Sequence, residues 1–231
     1  MEPILAVSLV GGALAIDNRA GVRLMLSQPV CGGLITGILL GSPADGFFAG
    51  ALLQMLFLGW VSLRSRAMPD LTLGGVAAAA FYATGRRALA GDPSLDGLML
   101  ALSLALALAV ALAGLALYRV WESRSWVLAE RALALASVGR TGRAAAIHFS
   151  TIAVHFAAGF VVTGASLLAG LPVVRAVAGR PAPPWAARLE DLPLLVLFIG
   201  AGSVLGMNLG RVRLFWFLAG ALAVLVGALF R

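Results

Sequence analysis

The sequence predicts an all-α polytopic membrane protein, a helical bundle with short, broken or re-entrant helices. Hydrophobic residues make up 61% of the chain and charged residues only 12%, and the mean hydropathy is +1.00. A soluble domain has about 45–50% apolar and about 25% charged residues, so most of this chain has to be surrounded by lipid. In lipid only helices and closed barrels satisfy their own backbone, and long unbroken runs of Ala and Leu favour helices.

The charge of the chain is strongly positive, with a formal net charge of +7, and all 17 of its basic residues are Arg. These residues lie at the ends of apolar runs. That placement is typical of topology signals and of contacts with lipid head groups, and we expect no nucleic-acid partner. The opening Met1-Glu2-Pro3 is acidic where a signal peptide is basic, so we expect the first apolar run to be retained.

The first part of the chain, residues 1–94, consists of apolar runs that Gly, Pro and charged residues interrupt. A spanning helix needs about 20 apolar residues, and most of these runs are shorter. The runs are residues 4–16, 30–40, 46–63 and 71–84. Short apolar segments interrupted by Gly and Pro are typical of the broken or re-entrant helices that form transporter sites. We therefore expect residues 1–94 to be the motif-rich half of the protein.

Longer apolar runs follow, at residues 95–118 and 144–170, and each is long enough to cross a bilayer. Residues 119–143 between them are rich in Arg and carry Trp121 and Trp126, which predicts a basic interfacial connector on the cytoplasmic side. We expect an ordered loop over residues 171–192 and two final apolar runs over 193–210 and 212–230. The chain is thus predicted to form one membrane-embedded domain, residues 1–231, whose second half is 144–231.

Glycines recur at intervals of four residues, which is the spacing of one helix face. Such rows let helix backbones approach closely in lipid. The rows are Gly33, Gly37 and Gly41; Gly46 and Gly50; and Gly202, Gly206 and Gly210. We interpret them as helix-packing surfaces.

Three polar side chains within or beside apolar runs are the candidate binding residues. Gln54 shares a helix face with Gly46 and Gly50, and a polar group there needs a partner. It either makes a helix–helix hydrogen bond, worth about 0.6 kcal/mol on average, or offers its carboxamide to sugar hydroxyls. Asp70 follows Pro69 directly and is either the N-cap of the next helix or a carboxylate at the mouth of a broken helix.

The third candidate, Asn208, lies opposite the Gly202, Gly206 and Gly210 row, where it either bonds a neighbouring helix or faces a cavity. Asp17 and Asp45 each end an apolar run. We expect both to be exposed turn residues, although so short a run also allows either one to lie inside a cavity.

The sequence offers no set of residues for catalysis or for metal binding. His148 and His155 are seven residues apart with no acidic residue at ligand spacing, so we expect packing or interfacial histidines. The absence of Lys excludes a Walker-type ATPase, and no nucleophile–base cluster can be assembled. We therefore predict a non-enzymatic protein with no cofactor.

Several short motifs resemble a known family. They are Asp17-Asn18-Arg19, Ser27-Gln28-Pro29, residues 37–41, residues 50–60, Pro69-Asp70 with the small-residue helix that follows, Gly206-Met207-Asn208 and Phe215-Trp216-Phe217. Together they resemble the IIC subunit of the mannose/fructose/sorbose-type sugar permeases of the phosphotransferase system (PTS). The motifs that carry the resemblance are concentrated at about residues 15–85.

The resemblance implies a sugar-translocating, multi-pass subunit of the bacterial cytoplasmic (inner) membrane. Such a subunit pairs with a IID membrane subunit in a hetero-oligomer. Cytoplasmic IIA and IIB proteins then phosphorylate a hexose-type sugar at the expense of phosphoenolpyruvate. Two alternatives stay open, a transport-deficient regulatory or scaffold relative of the same fold and a stand-alone secondary transporter.

One departure from the family pattern concerns Gln54, since the family usually has Glu there. The amide keeps an acceptor but loses the charge, and charge-assisted hydrogen bonds are roughly twice as strong as neutral ones. We therefore expect Gln54 to favour a neutral hexose over an amino sugar, or to mark a subunit that no longer transports.

Overall fold

The computed structural model describes residues 2–19, 24–59, 68–89, 93–208, 215 and 219–220. Within these ranges the chain forms helices and turns and no strand, which confirms the predicted all-α fold. The helices are α1 (Glu2–Arg19), α2 (Pro29–Leu39), α3 (Pro43–Leu56), α4 (Leu71–Ala88), α5 (Asp96–Ser137), α6 (Thr141–Ala178) and α7 (Leu192–Asn208). Short 3₁₀ turns cover Pro93–Leu95 and Ala186–Leu189.

Helices α2 and α3 form a tight antiparallel hairpin of two short helices. Each begins with Pro, at the first helical position, where the missing N–H has no helical acceptor to lose. Gly41 adopts a φ of 70°, a left-handed conformation that glycine takes without a Cβ penalty, and it ends α2. A proline at the start of each helix and a glycine after the end of α2 therefore produce the broken helices that the sequence predicts.

The two helices of the hairpin touch through their backbones. A Cβ on Gly46 would lie 2.3 Å from the Gly33 carbonyl oxygen and 2.6 Å from Gly37 Cα. A Cβ on Gly50 would lie 2.4 Å from the Pro29 carbonyl oxygen. These contacts agree with the packing role predicted for the two glycine rows, because only glycine leaves room for another backbone at such distances.

Helix α4 is the centre of the fold. Residues 72–83 are all buried, and α4 contacts α1, α2, α3, α5 and α6. Its small side chains permit this close surrounding; a Cβ on Gly75, for example, would lie 2.6 Å from Pro29 Cα. Larger apolar residues such as Val76 and Phe81 complete the core, with exposures of 0% and 1%.

Helices α5 and α6 are much longer than the rest, with 42 and 38 residues. The stretches Asp96–Glu122 and Thr141–Ala178 are long and apolar enough to cross a membrane, and Pro3–Asn18 and Pro29–Leu39 form shorter apolar helices. At 1.5 Å per residue α5 extends about 63 Å, roughly twice the hydrocarbon thickness of a bilayer. The part of α5 and α6 around residues 119–150 is mostly exposed and projects as an antiparallel arm.

The structure refines three predicted boundaries. Residues 119–143, the predicted connector, are not a separate helix; they form the end of α5, the turn at residues 138–140 and the start of α6. Helix α6 continues through Pro172, so the predicted loop over 171–192 begins only at Gly179. The last predicted run, 212–230, lies almost entirely outside the described residues.

Charged and polar side chains join the far end of α4 to the tip of the hairpin and to the start of α5. Arg86 pairs with Asp45 (Nη1 to Oδ1, 2.7 Å) and with Asp96 (Nε to Oδ1, 3.2 Å). The Tyr82 hydroxyl donates to Asp96 at 3.1 Å, and Arg87 donates to the Leu40 carbonyl and to Ser42 Oγ.

We call Asp45, Tyr82, Arg86 and Asp96 the tip cluster. Asp45 is thus a paired residue of the tip cluster, whereas the sequence favoured an exposed turn residue.

The glycine contact yields a stability prediction. Replacing Gly46 with Ala forces a methyl group against the Gly33 carbonyl and Gly37 Cα, which are backbone atoms with no rotamer to change. We expect the free energy of unfolding to fall by at least about 1–3 kcal/mol. The measurement is the melting temperature of the detergent-solubilised protein, which should be lower in the variant.

The matched control is Gly142→Ala, because Gly142 is also helical but has nothing within 4 Å of its added Cβ. Ala has the higher helix propensity, so Gly142→Ala should leave the melting temperature unchanged or raise it. Equal melting temperatures for Gly46→Ala and the unmodified protein would contradict backbone contact as the basis of the hairpin.

Candidate functional site

A large polar cavity, of about 1210 Å³, lies where the broken helices end. The last residues of α1, the first of α2 and the first of α4 meet there, and α5 and α6 close the other side. The polar side chains that line it are Asp17, Asn18, Ser27, Gln28, Asp70, Thr72, Tyr118, Glu122, Ser125, His148, Thr151 and His155. Such a concentration of polar groups in so apolar a chain marks the candidate binding site.

Asp17 organises one wall of this cavity. Its Oδ1 accepts from the Leu24 amide at 2.6 Å, and its Oδ2 accepts from the Ser27 amide at 2.9 Å. Residues 24–28 therefore pack against Asp17 just before α2 begins. We expected an exposed turn residue as the first interpretation; the structure instead gives a half-buried carboxylate on the cavity wall. Its amide partners lie up to ten residues further along the chain, a distance that local turn patterns do not reveal.

Gln54 lies behind the cavity wall and caps α2. Its Oε1 accepts from the Val30 amide at 3.1 Å. Val30 is in the first turn of α2, where amide groups have no helical acceptor, and the preceding Gln28 makes no side-chain cap bond. Gln28 and Pro29 line the cavity, whereas Gln54 is not among its lining residues. Gln54 therefore fixes the position of residues that do line it.

Asp70 is the N-cap of α4, as the sequence allowed, and it also lies on the cavity wall. As N-cap of α4 it accepts from the Leu73 amide at 3.4 Å, and its own amide donates to the Ala111 carbonyl of α5 at 2.8 Å. A Cβ on Gly114 would lie 2.7 Å from Asp70 Cβ, so α5 approaches closely only because residue 114 is Gly. The side chain is 4% exposed and lines the cavity.

The third candidate, Asn208, is the last residue of α7, and its side chain lies outside the described part of the structure. Its relation to the cavity therefore stays a prediction. Helix α7 packs on α3 through Gly200, where a Cβ would lie 2.4 Å from the Met55 carbonyl oxygen. Of the predicted row of glycines in this region, Gly210 lies outside the described residues.

The cavity is also lined by His148 and His155, which the sequence predicted to be packing or interfacial histidines. His155 is 8% exposed, and both His155 and His148 line the cavity together with Thr151. A signal for these residues was present: positions 148, 151 and 155 share one helix face, and so do Tyr118, Glu122 and Ser125 on α5. Two polar stripes on neighbouring helices indicate that those faces meet at a polar space.

A smaller pocket opens beside the cavity; we call it the side pocket. Its volume is about 80 Å³. Its walls are mostly apolar and come from Ala15, Leu73, Gly114, Leu117, Trp121, Val154, Ala158, Gly159 and Val162. Asp70, Tyr118 and His155 line both spaces and so stand at the junction between them.

This arrangement is suited to binding a polyhydroxylated ligand. Carboxylate, amide, hydroxyl and imidazole groups offer both donors and acceptors around one space, which is large enough to hold a sugar. Among the described residues no group of three or more His, Cys, Asp or Glu side chains is placed to hold a metal ion.

Comparison with known families agrees with the motifs. A sequence model described as the PTS system sorbose-specific IIC component matches residues 3–229. No curated protein matches the chain. The match covers nearly the whole chain, and the apolar helices fit a membrane permease. The chain therefore belongs to the sorbose-specific IIC family of the phosphotransferase system, and it is a sugar-translocating membrane component of that system.

Proposed function

We propose that this chain is the IIC subunit of a mannose-type phosphotransferase permease and that it binds a hexose-type sugar in the large cavity. The observation that carries the proposal is that the ends of α1, α2 and α4 meet at a cavity lined by polar side chains, although most of the chain is apolar. Discontinuous helices that meet at a polar space are typical of transporter binding sites. Family membership supports the type of substrate.

The partners belong to the same proposal. A IID subunit forms a hetero-oligomer with this chain in the bacterial inner membrane, and cytoplasmic IIA and IIB proteins carry the phosphoryl group. This chain then supplies binding and passage, while its partners supply the chemistry. The assignment is consistent with a cavity whose histidines sit among hydroxyl and carboxyl groups suited to a sugar.

Co-expression tests the assignment. In cells without their own uptake system for the sugar, this chain together with IID, IIA and IIB should accumulate sugar phosphate, and the accumulation should require phosphoenolpyruvate. Omission of IID should abolish it, while collapse of the ion gradient in vesicles supplied with phosphoenolpyruvate should not.

The measurement is the amount of labelled sugar phosphate formed by vesicles with each component omitted in turn. Uptake by this chain alone that follows an ion gradient would favour the secondary transporter instead. No uptake with all partners present would favour a transport-deficient relative.

Asp70 provides a test of the binding site that separates function from folding. Asp70→Asn keeps the helix cap, because Asn is as good an N-cap as Asp, but removes the charge. Hydrogen bonds to charged groups are stronger than neutral ones by about 1 kcal/mol, so we expect roughly five- to tenfold weaker sugar binding. The melting temperature should fall only slightly, because the lost charge at the N-terminus of α4 is worth about 0.3–1 kcal/mol.

Asp45→Asn is the matched control, because Asp45 is a half-buried carboxylate of the tip cluster at the opposite end of α4. It should leave sugar affinity unchanged. Titration calorimetry on the purified protein measures both variants. Asp70→Asn with the affinity of the unmodified protein would remove Asp70 from the sugar site.

Gln54 is expected to act on the sugar through α2. Gln54→Glu keeps an acceptor for the Val30 amide and places a negative charge at a helix N-terminus, where it is favourable. We expect Gln54→Glu to retain binding of a neutral hexose and to raise affinity for an amino sugar with an ammonium group. Gln54→Ala should lower both the melting temperature and sugar affinity, since it leaves the Val30 amide uncapped.

The readout is the ratio of affinities for a hexose and for the matching amino sugar in each variant. If Gln54→Glu changes neither affinity, a charge at position 54 has no effect on sugar binding. If Gln54→Ala leaves the melting temperature unchanged, the hydrogen bond to Val30 is not a cap.

A further inference from the structure

The side pocket is too large for a single water molecule and too small for a whole sugar. A single water molecule needs about 10–15 Å³, whereas the side pocket has a volume of about 80 Å³. The available space suits a substituent of a few heavy atoms on a larger ligand. Because Asp70, Tyr118 and His155 line both spaces, a sugar in the large cavity can place one substituent into the side pocket.

The walls of the side pocket determine which substituent fits. Most are methyl-bearing or glycine residues, such as Leu73, Ala158 and Val162. A hydroxyl group that loses water against these walls without a hydrogen bond is disfavoured, and an ammonium group is disfavoured much more. A methyl group gains from the same burial. The apolar part of these walls therefore favours a methyl group.

The junction between the two spaces is polar and well buried. Asp70 is 4% exposed and His155 is 8% exposed. A carboxylate offers about four acceptor sites, so capping the Leu73 amide is compatible with accepting from a ligand as well. The Tyr118 hydroxyl can donate to a ligand oxygen or accept from a ligand donor. The junction thus suits a group with both an N–H and a C=O.

One common sugar substituent combines these features within three bonds. The acetamido group has an N–H for a carboxylate, a carbonyl oxygen for a hydroxyl or imidazole donor, and a terminal methyl for an apolar pocket. A hydroxyl lacks the methyl, a deoxy position lacks the N–H, and a free amine brings a charge toward apolar walls. The acetamido group is therefore the best match among small sugar substituents.

We propose that the side pocket binds the acetamido group of an N-acetylated amino sugar, so that this subunit prefers N-acetylhexosamines. This inference rests on the proposed sugar-binding function and specifies its substrate class. Ala158 and Val162 then determine specificity through pocket volume, while Asp70 orients the acetamido N–H.

The test is sugar binding to the purified full-length protein. For each of the gluco, manno and galacto epimers, affinities are compared for the hexose, the amino sugar and the N-acetylated amino sugar. We expect the N-acetylated form of at least one epimer to bind at least tenfold more tightly than its hexose. Ala158→Leu fills the pocket and should reduce that ratio to below twofold, because it weakens binding of the N-acetylated form much more than binding of the hexose.

Ala157→Leu is the matched control, because it makes the same substitution at the neighbouring position of the same helix. Ala157 is exposed and does not line the side pocket. It should leave the ratio unchanged. Ala158→Val, a milder replacement, should reduce the ratio partially and keeps the test informative if Ala158→Leu does not fold.

Equal or weaker binding of every N-acetylated form overturns the inference, and so does equal weakening of hexose and N-acetylhexosamine by Ala158→Val or Ala158→Leu. In either case hexose binding to the unmodified protein leaves the proposed function intact. Failure of every sugar to bind the unmodified protein overturns both.

Discussion

Backbone contact between the glycines of α2 and α3 is the interaction on which the rest of the structure depends. Two short helices can lie antiparallel within the bundle because Gly33, Gly37, Gly46 and Gly50 leave room for each other's main chain. That contact brings Gln54 to the Val30 amide at the start of α2. In lipid an unsatisfied amide is costly, so a helix can begin inside the bundle only when a partner of this kind is present.

Helix α4 connects two ends of the protein that differ in how their charges are used. At its C-terminal end, Arg86 is paired with Asp45 and Asp96, so the charges of the tip cluster satisfy one another. At its N-terminal end, Asp70 lies on the wall of a cavity. The 18 residues of α4 cover about 27 Å, close to the hydrocarbon thickness of a bilayer. One end is thus held by ion pairs, while the other presents polar groups to the cavity.

The sequence was informative wherever the cause of a structure is local. Apolar content predicted the all-α membrane fold, Pro and Gly predicted the interrupted helices, and Pro69 followed by Asp70 predicted the cap of α4. It was uninformative where the partner is remote: the Gln54 acceptor bonds an amide 24 residues away. The histidines of α6 were assigned to packing or to the membrane interface because their spacing excluded a metal site, although the shared face with Thr151 indicated a polar surface.

The structure also changes how the Gln54 departure from the family pattern is interpreted. A cap needs an acceptor at the helix start, and an amide oxygen provides one as a carboxylate does. Since Gln54 stands behind Gln28 and Pro29 rather than on the cavity wall, the loss of its charge need not remove a contact with the sugar. At the start of α4, the acidic side chain that lines the cavity is Asp70. In the proposed sugar site, placement of α2 and recognition of the sugar therefore fall to different residues, and a neutral residue 54 is compatible with a working site.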